Sequence, residues 1–151
     1  MKEIFENVIS SESFWTVITG MIVYILSQYY MEFFANPRKE YKKLRQRIIY
    51  TITMYCCYYT NPYNPFKENE NARSKEEYDY ASKEIRKIGS ELAGYIGTIP
   101  KIRYFKRKKL NNVLSSLIGI SNGFYDISKD FDTIKENKKL EKIIKDTLKF
   151  N

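Results

Sequence analysis

The sequence predicts an all-α protein, with an N-terminal transmembrane helix followed by a small four-helix cytosolic bundle. Three observations predict it. The nineteen residues from Ser13 to Met31 carry no charge. A basic run, RKEYKKLRQR, follows within a few residues of that stretch. Beyond Pro37, apolar residues recur at steps of three and four, the period of a helix with one buried face. On this reading residues 1–13 form a short extracytoplasmic N-terminus, 14–35 the transmembrane helix and 36–151 a cytosolic helical domain.

A helix over 14–35 is about 33 Å long, close to the roughly 30 Å hydrocarbon core of a bilayer. Phe14 and Trp15 lie towards one end and Tyr29, Tyr30, Phe33 and Phe34 towards the other, where amphipathic rings meet headgroups. Val17, Ile18, Met21, Ile22, Val23, Ile25 and Leu26 cover the helix all round and leave no wide polar stripe. The competing reading is a core helix of a soluble domain, since Thr16, Thr19, Ser27, Gln28 and several tyrosines make the segment only moderately apolar. Glu32 falls near an interface, where a charge costs far less than at the midplane. Thr16 and Gly20 have the small-xxx-small spacing of helix self-association.

The flanks set the orientation. Before the span, Lys2 stands against Glu3, Glu6 and Glu12, a net side-chain charge of −2. After it, Arg38, Lys39, Lys42, Lys43, Arg45 and Arg47 stand against Glu40, a net +5. The positive-inside rule then puts the C-terminal domain in the cytoplasm. A cleaved signal peptide has a basic n-region, a shorter apolar stretch and a small-residue cleavage site, none of which is found here.

Leu44, Ile48, Ile52, Tyr55 and Tyr59 mark the inward face of the next helix, from about Arg38 to Thr60. Its apolar part, IIYTITMYCCYY, is only about 18 Å long as a helix before TNPYNP breaks it, which favours a core helix over the alternative of a second span or re-entrant segment. The loop Asn61 to Arg73 contains two Asn-Pro pairs, which favour extended or turn backbone. Ser74 and Glu77 have capping-box spacing and start a helix that Pro100 stops. Its inward residues are Tyr78, Ala81, Ile85, Ile88, Leu92, Tyr95 and Ile99. Gly89, Ala93 and Gly97 fall four apart on one side and invite close approach of another helix.

Leu110, Val113, Leu114, Leu117 and Ile118 give the next helix its buried face. It stops at Ser121-Asn122-Gly123, a C-cap pattern that favours the left-handed region. Thr133 and Glu136 repeat the capping-box spacing before a last helix with Ile134, Leu140, Ile143, Ile144 and Leu148 inward. One anchor and four helices follow, most simply a bundle.

The formal charge is +8, concentrated in two clusters. The first is the anchor's flank. The second is Lys101, Arg103, Lys106, Arg107, Lys108 and Lys109, with no acidic residue among them. Both fit anionic lipid headgroups, where each cation near the surface contributes roughly 1 kcal/mol. Tyr104 and Phe105 suit insertion at the interface beside those cations. Nucleic acid is the weaker partner, since no motif for reading a groove or single strand is present.

The chain has no histidine, which removes Ser-His, Cys-His and His-metal arrangements. Cys56 and Cys57 are adjacent, so they form neither a CxxC redox pair nor a zinc half-site, and read as buried thiols. Asp126, Asp130 and Asp132 lack calcium-loop spacing and its glycine. The glycines of GYIG lie in a helical pattern without a following lysine, so they form no phosphate loop. The sequence therefore predicts no enzyme, no cofactor and no metal.

Several segments carry a resemblance. MYCCYYTNP ends one helix, YASKEIRKIGSEL lies in the next, IP precedes a basic stretch, and LIGISN closes a later helix. In these, over roughly Phe14 to Phe124, the chain resembles a group of small, mostly bacterial, uncharacterised single-span proteins. They share Tyr-x-Asn-Pro, Ala-Ser, Ile-Pro and Leu-Ile-Gly-Leu-Ser-Asn segments; Ile120 departs from the leucine of the last. The resemblance implies a membrane-anchored cytosolic helical domain, with the anchor in a bacterial inner or plasma membrane, and carries no catalytic residue over.

Asn61 and Asn64 in one loop, with Ser121 and Asn122 at the other helix end, form a candidate polar patch if the two meet. Otherwise they only end helices. The functional expectation is a non-enzymatic, membrane-anchored interaction or regulatory protein that binds a protein partner or itself. The alternatives are an oligomerising effector that perturbs the bilayer and a soluble, basic nucleic-acid-binding helical domain.

Overall fold

A computed structural model describes residues 12–65, 73–100, 103–125 and 132–149. The described residues are helical apart from turns and one isolated parallel bridge, between Tyr63 and Tyr125. In order, the elements are α1 (Glu12–Tyr30), a π-helical turn (Met31–Ala35), α2 (Asn36–Met54), α3 (Cys56–Thr60), α4 (Lys75–Thr98), α5 (Tyr104–Asn122) and α6 (Asp132–Thr147). They divide into two compact units, Met1–Lys42 and Lys43–Asn151.

In the first unit, no residue of α1 is buried. Trp15, Val17, Met21, Ile22, Val23, Ile25 and Leu26 are each more than half exposed, unlike a core helix of a soluble domain. Within the helical stretch Glu12–Met54 lies one segment long and apolar enough to cross a membrane. The Thr16 hydroxyl donates to the Glu12 carbonyl at 2.9 Å, so its own helix satisfies this polar group.

Between the expected span, 14–35, and the helix expected from about Arg38, the chain stays helical and only its register changes. Pro37 has no N–H, and its ring crowds the carbonyl four residues back. The backbone answers with the π turn just before it, in which the Asn36 N–H donates to the Met31 carbonyl, five residues back.

In the second unit, α2 contributes Leu44, Ile48 and Ile52 to the core. The helix expected to reach Thr60 ends at Met54, because Tyr55 leaves helical geometry (φ −100°, ψ 14°). The short α3 then re-aims the chain and buries Tyr59 fully while Tyr55 stays half-buried. Burial pushes the Tyr59 hydroxyl well above its usual range, and the nearby Glu141 carboxylate adds to the shift.

Ser74 caps α4 in a complete capping box. Its hydroxyl accepts from the Glu77 N–H at 3.4 Å, and the Glu77 carboxylate accepts from the Ser74 N–H at 3.0 Å. All seven residues expected inward on α4 are buried. A Cβ at Gly89 would lie 3.7 Å from Leu114 and 3.9 Å from Leu117, in ordinary contact, and one at Gly97 would meet nothing within 4 Å, so neither position needs glycine for the packing.

α5 packs against both α4 and α6. Leu110, Val113 and Leu117 are inward as expected, joined by Ser116, Ile120 and Phe124, but Ile118 is 47% exposed. The inward face is rotated: Ile118 instead lines an open groove with Leu114 and Gly89. Gly123 ends α5 at φ −79°, outside the left-handed region. Its lack of a side chain serves close approach, since a Cβ there would collide with the Asn137 amide. α6 starts at Asp132, so Thr133 sits inside the first turn instead of capping it. The acidic Asp132 suits the positive end of the helix.

Candidate functional site

Two polar regions lie towards opposite ends of the second unit. On α4 their outermost residues, Tyr78 and Tyr95, are separated by about 25 Å of helix, and the two regions approach each other between Arg86 and Glu91.

The basic end is built from four elements. Arg47 on α2 reaches Glu91 on α4 with a bidentate pair, at 2.5 and 2.8 Å. Arg45 donates through Nη2 to the Lys149 carbonyl, just beyond α6, at 2.6 Å, while its Nε is buried without a hydrogen-bond partner. One turn after Glu91, Tyr95 receives Lys106 from α5: Nζ donates to the phenol oxygen at 3.3 Å and lies 5.6 Å from the ring centroid. The head of α5, the last turns of α4, the end of α6 and the Arg45–Arg47 turn of α2 therefore converge.

The expected anion-contacting residues thus divide. Arg45, Arg47 and Lys106 hold elements of the unit together. Lys43, Arg103, Lys108 and Lys109 are exposed and Arg107 is half-buried. Arg38, Lys39 and Lys42, in the first unit, are exposed on α2. Lys101 lies outside the described residues.

At the other end the two predicted loops do meet. The Tyr63 N–H donates to the Phe124 carbonyl at 2.8 Å. The Tyr78 hydroxyl donates to the Asn61 carbonyl at 2.6 Å. Ser82 donates to the Ser121 carbonyl at 2.9 Å, and Arg86 reaches the Ser121 hydroxyl at 3.3 Å and Asn122 Oδ1 at 2.9 Å. Asn61 and Asn122 are exposed, Asn64 is half-buried and Ser121 is buried. Around them pack Tyr58, Tyr59, Tyr63, Tyr78 and Phe124, with ring centroids 5.2–6.4 Å apart.

Asn137 on α6 closes this junction. It is 2% exposed, and its amide donates to the Tyr59 carbonyl and to the Gly123 carbonyl, each at 2.8 Å. Both carbonyls belong to helix ends, α3 and α5, which leave acceptors unpaired. One side chain thus caps two helices. Tyr125 adds a tie by donating to the Asp79 carboxylate. Burial, together with that hydrogen bond, pushes the Tyr125 hydroxyl up to about 12.

The sequence reading missed Asn137, Arg86 and Tyr125. Asn137 carried a signal, since it interrupts the inward series Ile134, Asn137, Ile144 with a polar residue. Arg86 and Tyr125 follow no periodic rule.

Chemically, the junction is a clasp in which hydroxyls, amides and the guanidinium are spent on backbone carbonyls and on each other. Among the described residues no three His, Cys, Asp or Glu side chains gather to hold a metal. Asp126 and Asp130 lie outside the described residues. Cys56 is exposed and Cys57 half-buried, a correction to the expected buried pair: α3 turns the first thiol outward. Comparison of the chain with protein-family profiles, with curated proteins and with solved structures finds no match.

Proposed function

We propose that the protein is a non-enzymatic, membrane-anchored helical module, with α1 as a single span and the second unit as a small cytosolic bundle that meets partners near the bilayer. The observation that carries this reading is that, within the second unit, Arg45 and Arg47 of the first basic cluster and Lys106 of the second converge at one end. With α1 inserted, the cations that follow it in sequence come close to anionic headgroups, and each exposed cation that meets them is worth roughly 1 kcal/mol of attraction. That no residue of the apolar α1 is buried supports the same reading. The polar junction at the far end is the stabilising clasp that leaves this end to interact. The reading agrees with the single-span architecture implied by the sequence resemblance.

Alkaline carbonate extraction of membranes from cells expressing the full chain tests it. Retention in the pellet, with benign expression, is the expected result. Release into the supernatant refutes the anchor, and dye leakage from protein-containing vesicles would favour the bilayer-perturbing alternative.

A further inference from the structure

We propose that the head of α5 is a second membrane anchor, in which Phe105 enters the interfacial layer of an anionic phospholipid bilayer between cations that meet lipid phosphates. The proposal rests on the membrane-anchored reading above and adds to it a lipid-dependent docked state of the second unit. Three observations carry it.

First, Phe105 is 80% exposed, more than any other described large apolar residue. Burying such a ring in water-poor surroundings is favourable, and aromatic rings prefer the headgroup layer. Second, Phe105, Lys108 and Lys109 stand at i, i+3 and i+4 on α5, so the ring and two exposed ammonium groups share one face. Lysine stems lie along apolar surface while their charges reach phosphate. No acidic residue occurs from Lys101 to the end of α5, so the partner this surface complements is anionic. Third, the α5 head is fixed. Lys106 holds it to Tyr95 on α4, and the Arg47–Glu91 pair lies one turn away. The ring is therefore presented by a packed helix at the same end of the unit as Arg45 and Arg47. A nucleic acid offers the same phosphates, but a lone ring at a helix head is not the stacked series of rings along a groove that single-strand binders use.

The chain's single tryptophan, Trp15, supplies the control. The full-length protein is reconstituted in brominated phosphatidylcholine vesicles, with or without phosphatidylglycerol, as wild type and as the Trp15→Phe/Phe105→Trp variant. The expected result is quenched, blue-shifted emission from the position-105 probe when phosphatidylglycerol is present, and recovery towards water-exposed emission in high salt, which screens the attraction. Replacing Arg107, Lys108 and Lys109 by Gln should lower the docked-to-undocked ratio on the order of a hundredfold, about fivefold per cation. The salt titration reads the same contribution without altering the chain.

Unquenched, water-exposed emission from position 105 in phosphatidylglycerol vesicles, alongside quenched wild-type Trp15, overturns the second anchor and leaves the first intact. Unquenched Trp15 overturns both. A response of the position-105 probe to a single-stranded oligonucleotide, with none to lipid, assigns the patch to nucleic acid and also overturns the proposal.

Discussion

Replacing Asn137 by Ala should loosen the whole second unit, because one amide serves two helix ends. The variant leaves the Tyr59 and Gly123 carbonyls, both now bonded at 2.8 Å, without donors in a nearly closed site. Each buried acceptor left unpaired, its lost hydrogen bond included, costs about 1–3 kcal/mol. Carbonyls tolerate under-satisfaction better than N–H groups, so the lower part of that range applies and the loss should be about 3 kcal/mol. For a unit of this size that is a fall in Tm of roughly 10–20 °C.

Near-ultraviolet circular dichroism of the detergent-solubilised full chain reads this directly, because the tyrosine cluster surrounds the junction. Asn137→Asp adds a signed test. A carboxylate facing two carbonyl oxygens has its pKa raised in the folded state, so its stabilising neutral form is fully present below the unfolded value of about 3.9. That contribution is lost as the pH rises, and the Asp variant should lose more stability at neutral pH than in acid. A fall in Tm below about 2 °C for Asn137→Ala would refute the double-cap account.

Other substitutions probe other elements by the same thermal measurement. Gly123→Ala should cost about 1–3 kcal/mol, since its Cβ meets the Asn137 amide, whereas Gly97→Ala, with open space around it, should gain up to about 1 kcal/mol from helix propensity. Ser74→Ala removes the α4 cap and should cost about 1 kcal/mol. Burial and the Asp79 hydrogen bond push the Tyr125 hydroxyl up to about 12 in the folded chain, against an ordinary 10. Its neutral form is therefore favoured by folding, and its stabilisation, complete below pH 10, is lost as the pH rises towards 12. Tyr125→Phe should flatten part of the alkaline decline in Tm, leaving the share due to buried Tyr59 and Tyr78.

Much of the helical plan was legible because periodicity and punctuation agree. In α4 the cap at Ser74, the inward series from Tyr78 to Ile99 and the stop at Pro100 all hold. Less was legible where local signals compete. Pro37 reads as a break, yet a π turn absorbs it, a choice of register that sequence spacing does not encode. Ile118 fits the period of α5, but which neighbouring helix covers each side decides burial, and Ile118 faces the groove. Gly123 reads as a left-handed cap, while its reason is a side chain fourteen residues on. In the candidate sites, charge density was visible, but not which cations are committed. Arg45, Arg47 and Lys106 look like their neighbours until α4 and α6 supply Glu91, Tyr95 and the Lys149 carbonyl.

The central claim is that α1 holds the second unit to the cytosolic side of a membrane, and the exposed Cys56 thiol offers a direct reporter. A membrane-impermeant maleimide is applied to intact cells and to inverted membrane vesicles, and carbonate-washed pellets are then assayed for label. The account predicts protein in the pellet, labelled in inverted vesicles and unlabelled in intact cells. Labelling in intact cells would contradict the orientation, and labelled protein in the carbonate supernatant would contradict the anchor itself.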